Sequence, residues 1–344
     1  MTSKLADIAE YTGLSISTVS RVVNGHTRKY RISDKTKDLI LSAANELNYR
    51  PNALARGLRL KKSHSIGLVV PDISNPFFAF VTRIIQNYAH SSGYSLIVCN
   101  TDESIDSEKE QIELLLSKGV DGFIIMPVGI ESAHIEELLK ENYPMVLLDR
   151  CFESLNTNSV LVDNYMGSYT ATEHLISLGH RDIAIILGLK NTYTTNERLR
   201  GYKKALEDHN IIVNSNYIVG KDYRIENGYI ETKFLLNLET RPSAIFTTSD
   251  LITVGALKAI YEENLKISED ISIVAFDDSE FAPFLKSPLT AIRQPKEIMG
   301  EMAVKLLLAD INSNKSDLEK SKIVLKPKLI IRESVSDKRV LAVI

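Results

Sequence analysis

The sequence predicts a small all-α head followed by an α/β body of doubly wound parallel sheets. Three observations predict it. Two short amphipathic helical patterns separated by a glycine turn open the chain, at Leu5–Thr12 and Ile16–Val23. From Ile66 onward, short apolar runs alternate with helical patterns. Charge also divides the chain. Residues 1–62 carry six Lys and six Arg against five Asp and Glu, while the remainder carries 29 basic and 39 acidic residues, giving −3 in all. A basic head on an acidic body fits a polyanion-binding module attached to a body with a different task.

In the head, Leu5, Ile8, Ala9 and Thr12 recur at helical spacing. Gly13 then stops the helix as a left-handed residue just past its end, and Ser15 is a natural cap for the next helix. Val19, Val22 and Val23 form one face of that second helix. Ser17, Ser20, Arg21 and Asn24 form the other, at spacings of three, four and seven. Ser33 caps a third helix, with Leu39, Ile40, Ala43, Ala44 and Leu47 expected to face inward. Helix, tight turn and short second helix make a helix-turn-helix. Its polar face suits DNA, because hydroxyls and amides reach phosphates and an Arg can grip guanine with two hydrogen bonds.

The body predicts strands at Ile66–Val70, Ser95–Val98, Gly122–Met126, Val146–Leu148, Ile183–Leu187, Ala244–Thr247 and Ile271–Phe276. Continuous apolar strands between helices imply parallel sheets covered on both faces, with ligands beyond the carboxyl ends of the strands. Polar or aromatic clusters stand there: Asp72 to Phe78, Asp149-Arg150, Tyr223, Ser249-Asp250, Asp277-Asp278 and Gln294, with Arg198 entering a helix. Carboxylates, a guanidinium and an amide can hold adjacent hydroxyls of a sugar, and aromatic faces cover its C–H surface. No dinucleotide fingerprint or phosphate-binding loop motif occurs. Neither a nucleophile–base–orienter set nor a metal-ligand spacing is present, so no cofactor is predicted and His180 is expected in a helix–strand turn.

Cys99 and Cys151 lie near apolar runs and read as reduced core thiols. No run of about 18 apolar residues suggests a membrane span. The opening residues lead into an amphipathic pattern instead of a signal-peptide core, which predicts a cytoplasmic protein.

"LADIAEYTGLSISTVSRVVNG" (5–25) and "ELNYRPNALARGLR" (46–59) resemble the head and hinge of lac repressor family regulators. The resemblance implies that Ile16, Ser17 and Arg21 read bases, while Ser15, Thr18, Ser20 and Asn24 meet phosphates. The loop His26-Thr27-Arg28-Lys29-Tyr30-Arg31-Ile32 is longer and more basic than usual and resembles the fructose-repressor branch. Arg28, Lys29, Tyr30 and Arg31 are expected on the DNA backbone. Pro51 and Asn52 open a hinge in which Asn52 is counted among the DNA contacts. Leu58 matches the residue that wedges a base step open from the minor groove. Gly57 departs from the more usual Ser.

The same resemblance extends over 64–332 to a body like the periplasmic sugar-binding proteins. It implies the layout 1–50 head, 51–63 hinge, 64–332 body and 333–344 tail. The first lobe is about 64–160 with 293–320, and the second about 162–291 with 321–332. In ribose-type relatives the positions of Phe77, Phe78, Asp149, Arg150, Arg198, Tyr223, Asp277 and Gln294 line the ligand; Asp72 and Ser249 are added here. Ser249 departs from the usual Asn, which leaves a sugar, a sugar acid or a sugar phosphate open as effector. The implied partners are operator DNA, that effector and a second copy of the chain, without a membrane. About fifteen residues follow Ile330, too short for a tetramerising coiled coil, so a homodimer is expected. The apolar end, Val340 to Ile344, is expected to pack as an edge strand. The function predicted is an effector-controlled transcription repressor. A transport-type solute-binding protein and a sugar-modifying enzyme are the alternatives.

Overall fold

The computed structural model describes residues 3–49, 62–313 and 319–341. Asn52, Gly57, Leu58 and the hinge reading lie outside the described residues. The chain folds as two compact units, 1–63 and 64–344.

The first unit holds α1 (Leu5–Thr12), α2 (Ile16–Val23) and α3 (Asp34–Glu46). Gly13 ends α1 at φ 67°, a left-handed conformation that costs glycine little. Ser15 caps α2 by accepting from the Thr18 amide at 3.2 Å, and Ser33 caps α3 from Thr36 at the same distance. Ile8, Ala9, Val19, Val22, Ile40 and Ala43 are buried together, with Leu5, Leu47 and Tyr49 packed around them. Leu39 corrects the sequence reading: it is 48% exposed. The inward stripe of α3 runs through Ile40, Ala43, Ala44 and Leu47, as expected, and Leu39 lies beyond its edge.

In the second unit the elements follow in order. β1 (Ser65–Val70), α4 (Pro76–Ser91), β2 (Ser95–Asn100), α5 (Ile105–Ser117), β3 (Gly122–Ile125), α6 (Ala133–Lys140), β4 (Met145–Leu148) and β5 (Asn158–Val162) build most of one lobe. α7 (Asn164–Ser177), β6 (Ile183–Ile186), α8 (Tyr193–Asp208), β7 (Ile218–Val219), α9 (Ile225–Leu236), β8 (Ala244–Thr247), α10 (Asp250–Glu262), β9 (Ser272–Phe276) and β10 (Thr290–Arg293) build most of the other. The chain then returns through α11 (Lys296–Asn312) and β11 (Lys322–Leu325), and crosses once more to β12 (Lys328–Ile330) and α12 (Lys338–Leu341).

The first sheet has the order β11-β5-β4-β3-β1-β2, all parallel. The second has the order β12-β10-β9-β8-β6-β7, parallel except for β12. β1 shows the doubly wound logic: Ile66, Leu68 and Val70 join the core under α4 and α11, while Val69 joins the one under α5 and α6. α7 with α8, and α9 with α10, cover the two faces of the second sheet. Three connections cross between lobes, at 162–164, 293–296 and 325–328. Lys322–Leu325 pairs with β5 in the first sheet, whereas the sequence reading placed 321–332 in the second lobe.

Of the apolar end expected as an edge strand, residues 342–344 lie outside the described residues, and the part before them differs. Lys338–Leu341 is a short helix, and the residues before it are stitched to the second lobe. Ser334 is fully buried and accepts from the Thr290 amide at 2.8 Å. His180, in the α7–β6 turn as expected, meets the Ser336 carbonyl at 3.2 Å and the Ser243 hydroxyl at 2.8 Å. Cys99 and Cys151 are free and buried.

Candidate DNA-reading face and ligand cleft

On the head, α2 turns Ile16, Ser17 and Arg21 to solvent, with Ile16 54% exposed. An isoleucine that exposed contributes nothing to the head's core. Ser15 shares hydrogen bonds with Ser17 at 2.9 Å and Thr18 at 2.8 Å, so the start of α2 presents a linked row of hydroxyls. Ser20 and Asn24 are half-buried; the Asn24 amide donates to the Ser20 carbonyl at 2.6 Å and helps close α2.

The basic loop is folded. His26 donates its amide to the Arg21 carbonyl at 2.8 Å, and Ile32 donates to Thr27 at 3.0 Å. Arg31 sits at φ 51°. Arg28, Lys29, Tyr30 and Arg31 are all exposed. The Tyr30 ring lies 4.1 Å beneath the Arg21 guanidinium, a contact that sequence spacing did not suggest. It holds the longest side chain of α2 in one place while leaving the edges of its guanidinium open.

In the body, the predicted groups converge between the lobes. Asn75, Phe77, Phe78, Asp149, Arg150, Thr194, Arg198, Tyr223, Ser249, Asp277 and Gln294 line one small cavity of about 20 Å³, room for about one water molecule. Asp72 is not among them. It accepts from the Ser74 amide at 2.8 Å within its own turn and lines an outer cavity of about 620 Å³, which shares Asn75 and Tyr223 with the inner one. Asn75, which caps α4 at the Phe77 amide (3.0 Å), takes the inner position. The cap signal Asn-Pro at the start of an aromatic helix was available in the sequence.

Local backbone delivers these groups. Asp149 and Asp277 follow β4 and β9 with φ of 66° and 82°, a left-handed bend that swings a carboxylate over a strand end. A Cβ on Gly188, after β6, would come within 2.0 Å of the Tyr223 ring, so only glycine lets that ring lie where it does. Thr194 and Thr195 hold the Tyr223 hydroxyl at 2.9 and 2.8 Å. Arg198 lies 3.7 Å over the Phe276 ring, donating to Asn164 Oδ1 at 2.8 Å and the Thr248 carbonyl at 2.5 Å. Gln294 donates to Asp277 at 2.5 Å. Asp278 faces away, paired with Arg293 and Arg332 at 2.6 and 2.7 Å, so Asp277-Asp278 is no carboxylate dyad. The Ser249 hydroxyl caps α10 by accepting from Ile252 at 3.3 Å.

Two acids stand beside the inner cavity: Asp250, read from the sequence only as part of a strand-end cluster, and Glu103, which was not foreseen and lines the outer cavity. Asp250, in the first turn of α10, is buried and accepts from Ser279. Glu103, just after β2, forms a two-pronged ion pair with Arg150, each bond 2.7 Å. Both stand where strands end, the general position of ligand-facing groups. Burial pushes Asp149 up to about 6, with Arg150 and Arg198 opposing. Burial, then Asp277, pushes Asp250 up to about 7. Among the described residues no His/Cys/Asp/Glu group is arranged to hold a metal. No described helix is long and apolar enough to cross a membrane.

Comparison with known proteins agrees with this geometry. Residues 4–52 match the family described as bacterial regulatory proteins, lacI family, and residues 172–335 match a periplasmic binding protein-like domain. The chain is 36% identical over 331 residues to the ribose operon repressor of Haemophilus influenzae, spanning 96% of this chain and 98% of that one. It is 36% identical over 336 residues to the transcriptional repressor PurR of Proteus mirabilis, spanning 97% of each. A crystal structure of the lac repressor dimer bound to operator and an anti-inducer aligns with a TM-score of 0.87 at 29% identity, covering 98% of this chain and 100% of that one. The chain therefore belongs to the lacI family of bacterial regulatory proteins and is a transcriptional repressor whose helical head is joined to an effector-sensing body.

Proposed function

We propose that the effector is a small neutral polyhydroxylated metabolite, with a pentose as the first candidate, bound between the lobes by Asn75, Phe77, Phe78, Asp149, Arg150, Arg198, Tyr223, Asp277 and Gln294. The observation that carries this reading is a set of buried acceptors. Asp149 Oδ1, Asp250 Oδ2 and Gln294 Oε1 have no hydrogen-bond partner among the described residues. A buried acceptor left unpaired is costly, and a ligand rich in hydroxyl donors relieves those of Asp149 and Gln294, which line the inner cavity. Charge supports neutrality: Glu103 already balances Arg150, and Asp149 and Asp277 line the same cavity as Arg150 and Arg198. The aromatic walls suit C–H faces, and the ribose operon repressor is among the chain's relatives.

The inner cavity must widen to admit a pentose, so ligand binding and lobe movement are one event. A ligand that touches Asp149 on one lobe and Arg198 and Asp277 on the other favours one lobe orientation over others, and only such differential affinity shifts an equilibrium. In a cytoplasmic homodimer, that orientation sets the spacing of two hinges and hence their fit to the operator. A coupling of about 1–3 kcal/mol corresponds to a 5–150-fold change in operator affinity. The chain acts by binding and not by catalysis. On the head, Ile16, Ser17 and Arg21 read bases, while Ser15, Thr18, Ser20, Asn24, Arg28, Lys29 and Arg31 meet phosphates.

The test is a melting screen of neutral sugars against their acids and phosphates. A ligand at 100 times its Kd adds about 2.7 kcal/mol of stability. Asp277→Ala is expected to abolish that gain. A protein that answers to no neutral sugar, or an Asp277→Ala protein that answers normally, would overturn the reading.

A further inference from the structure

Resting on that effector reading, we infer that Glu103 sets the charge of the ligand the cleft accepts. It supplies a built-in carboxylate to Arg150, so the cleft takes neutral polyols and turns away their acids and phosphates.

The Arg150 side chain lies inside the cleft wall, buried, with its guanidinium 5.7 Å from the Phe78 ring and 5.2 Å from that of Tyr223. Both terminal nitrogens donate to Glu103 at 2.7 Å, and Nη1 also donates to the Pro127 carbonyl at 3.3 Å. Nε has no hydrogen-bond partner among the described residues; its nearest anion is Asp149 Oδ2 at 3.8 Å. The end of the guanidinium formed by its two terminal nitrogens is thus already filled, and by a carboxylate of the chain's own. What remains is the side edge, Nε–H and the second hydrogen of Nη2, on a cation whose charge Glu103 already balances.

Glu103 is placed there by a backbone that L residues resist. Asp102 and Glu103 are consecutive non-glycine residues at φ 52° and 58°. Their surroundings enforce this. The Glu103 amide donates to the Pro71 carbonyl at 3.0 Å, and the Asn100 side chain donates to Asp102 at 2.7 Å while accepting from the Ile73 amide at 2.7 Å. The turn is therefore tied to the segments following both β1 and β2. Strain that neighbours over-determine is a mark of a functional position. Here the strained turn delivers one carboxylate to one guanidinium. Arg198 is partly engaged as well, its Nε and Nη1 serving Asn164 and Thr248.

The experiment uses the full chain and inorganic phosphate as a generic anion. Glu103→Gln keeps the shape and removes the charge, leaving the Arg150 cation without a counter-ion. Phosphate is expected to raise the melting temperature of Glu103→Gln well above the rise in wild type, with at least about tenfold tighter binding. Glu103→Gln/Arg150→Gln is expected to lose that gain. Phosphate held by the basic head is common to all three proteins and drops out of the comparison. A folded Glu103→Gln protein with the wild-type phosphate response would overturn the inference and leave Glu103 a structural partner only. Should Glu103→Gln fail to fold, Glu103→Ala in acetate decides. Refolding in acetate but not in chloride at equal ionic strength supports the inference, and no difference between the salts overturns it. The phosphate result does not depend on which sugar binds. Failure of every neutral sugar would end the effector reading while leaving the anion measurement to stand on its own.

Discussion

Arg21 in the head and Arg150 in the body are both guanidiniums near aromatic rings, and their settings differ in every other respect. Arg21 is exposed above Tyr30 at 4.1 Å, in a head with a surplus of positive charge. Arg150 is buried, its terminal nitrogens gripped by Glu103, in a body with a surplus of negative charge. The head offers open cations to a polyanion, so its affinity should follow salt. The body closes its cations inside, so its ligand chemistry should follow hydrogen-bond donors and pH. One side-chain type thus serves two kinds of recognition, and burial decides which.

The comparison is tested hardest at Arg198. Removing a buried cation that bridges Asn164, Thr248 and the Phe276 face is expected to destabilise the body by about 3 kcal/mol or more. Urea melts of Arg198→Ala report it. A loss below about 1 kcal/mol would show that the body's cations are no more built in than the head's.

Asp250→Asn probes the same burial from the acid side. The folded-state pKa, about 7, lies above the ordinary 3.8, so the ionised form opposes folding at high pH. That penalty is full above about 7 and disappears as pH falls toward 3.8. Asp250→Asn is therefore expected to be more stable than wild type at pH 8, by about 2 kcal/mol, with the difference gone near pH 4. Asp277 and Lys296 pull the Asp250 equilibrium in opposite directions, and both remain in the variant. A gain that is independent of pH would place its origin in packing.

For the head, Arg21→Ala is expected to cost about 1–3 kcal/mol of operator binding and relax preference at one base pair per half-site. Arg28→Ala should weaken all sequences alike and flatten the salt slope by about one unit. Selection on randomised operators at two salt concentrations separates the two. An Arg28→Ala protein with altered sequence preference and an intact salt slope would blur the division between reading and clamping.

The smallest effect belongs to Tyr30. An exposed cation–π contact is worth about 0.5–1 kcal/mol. Tyr30→Ala is expected to lose that much operator affinity, while Tyr30→Phe keeps it. Equal losses in both would assign the hydroxyl, and not the ring, as the contributing group.

Much of this was legible because it is local. Ser15, Gly13 and Ser33 announce the head's helices through backbone chemistry within a few residues. Apolar runs announce β1, β3 and β8 because strands buried on both faces need no alternation. The ligand groups at Asp149, Arg198 and Asp277 stand at strand ends or helix entries, which the alternating pattern already marks. What stayed hidden is long-range. Nothing near Lys322 says which sheet it will join, because its partner Ser159 is 163 residues away. Glu103 reads as one acid among many until the fold brings Arg150 to it. Leu39 and Ile40 are both apolar neighbours on a helix, and only the narrowness of the head's core decides between them. Asp72 and Asn75 share one loop, and its turn points the second, not the first, inward.

The chain's three passages between lobes have a consequence for the order in which the protein is made. The head's buried core uses only residues up to Ala43, with Leu47 and Tyr49 beside it. The first lobe cannot finish covering one face of its sheet until α11, Lys296–Asn312, has been synthesised to join α4 there, and its edge strand comes still later. At 5–20 residues per second, the 281 residues of the second unit take about 15–60 s to appear. Each nascent chain therefore carries a completed DNA-reading module through most of its translation before the part that senses the effector can close.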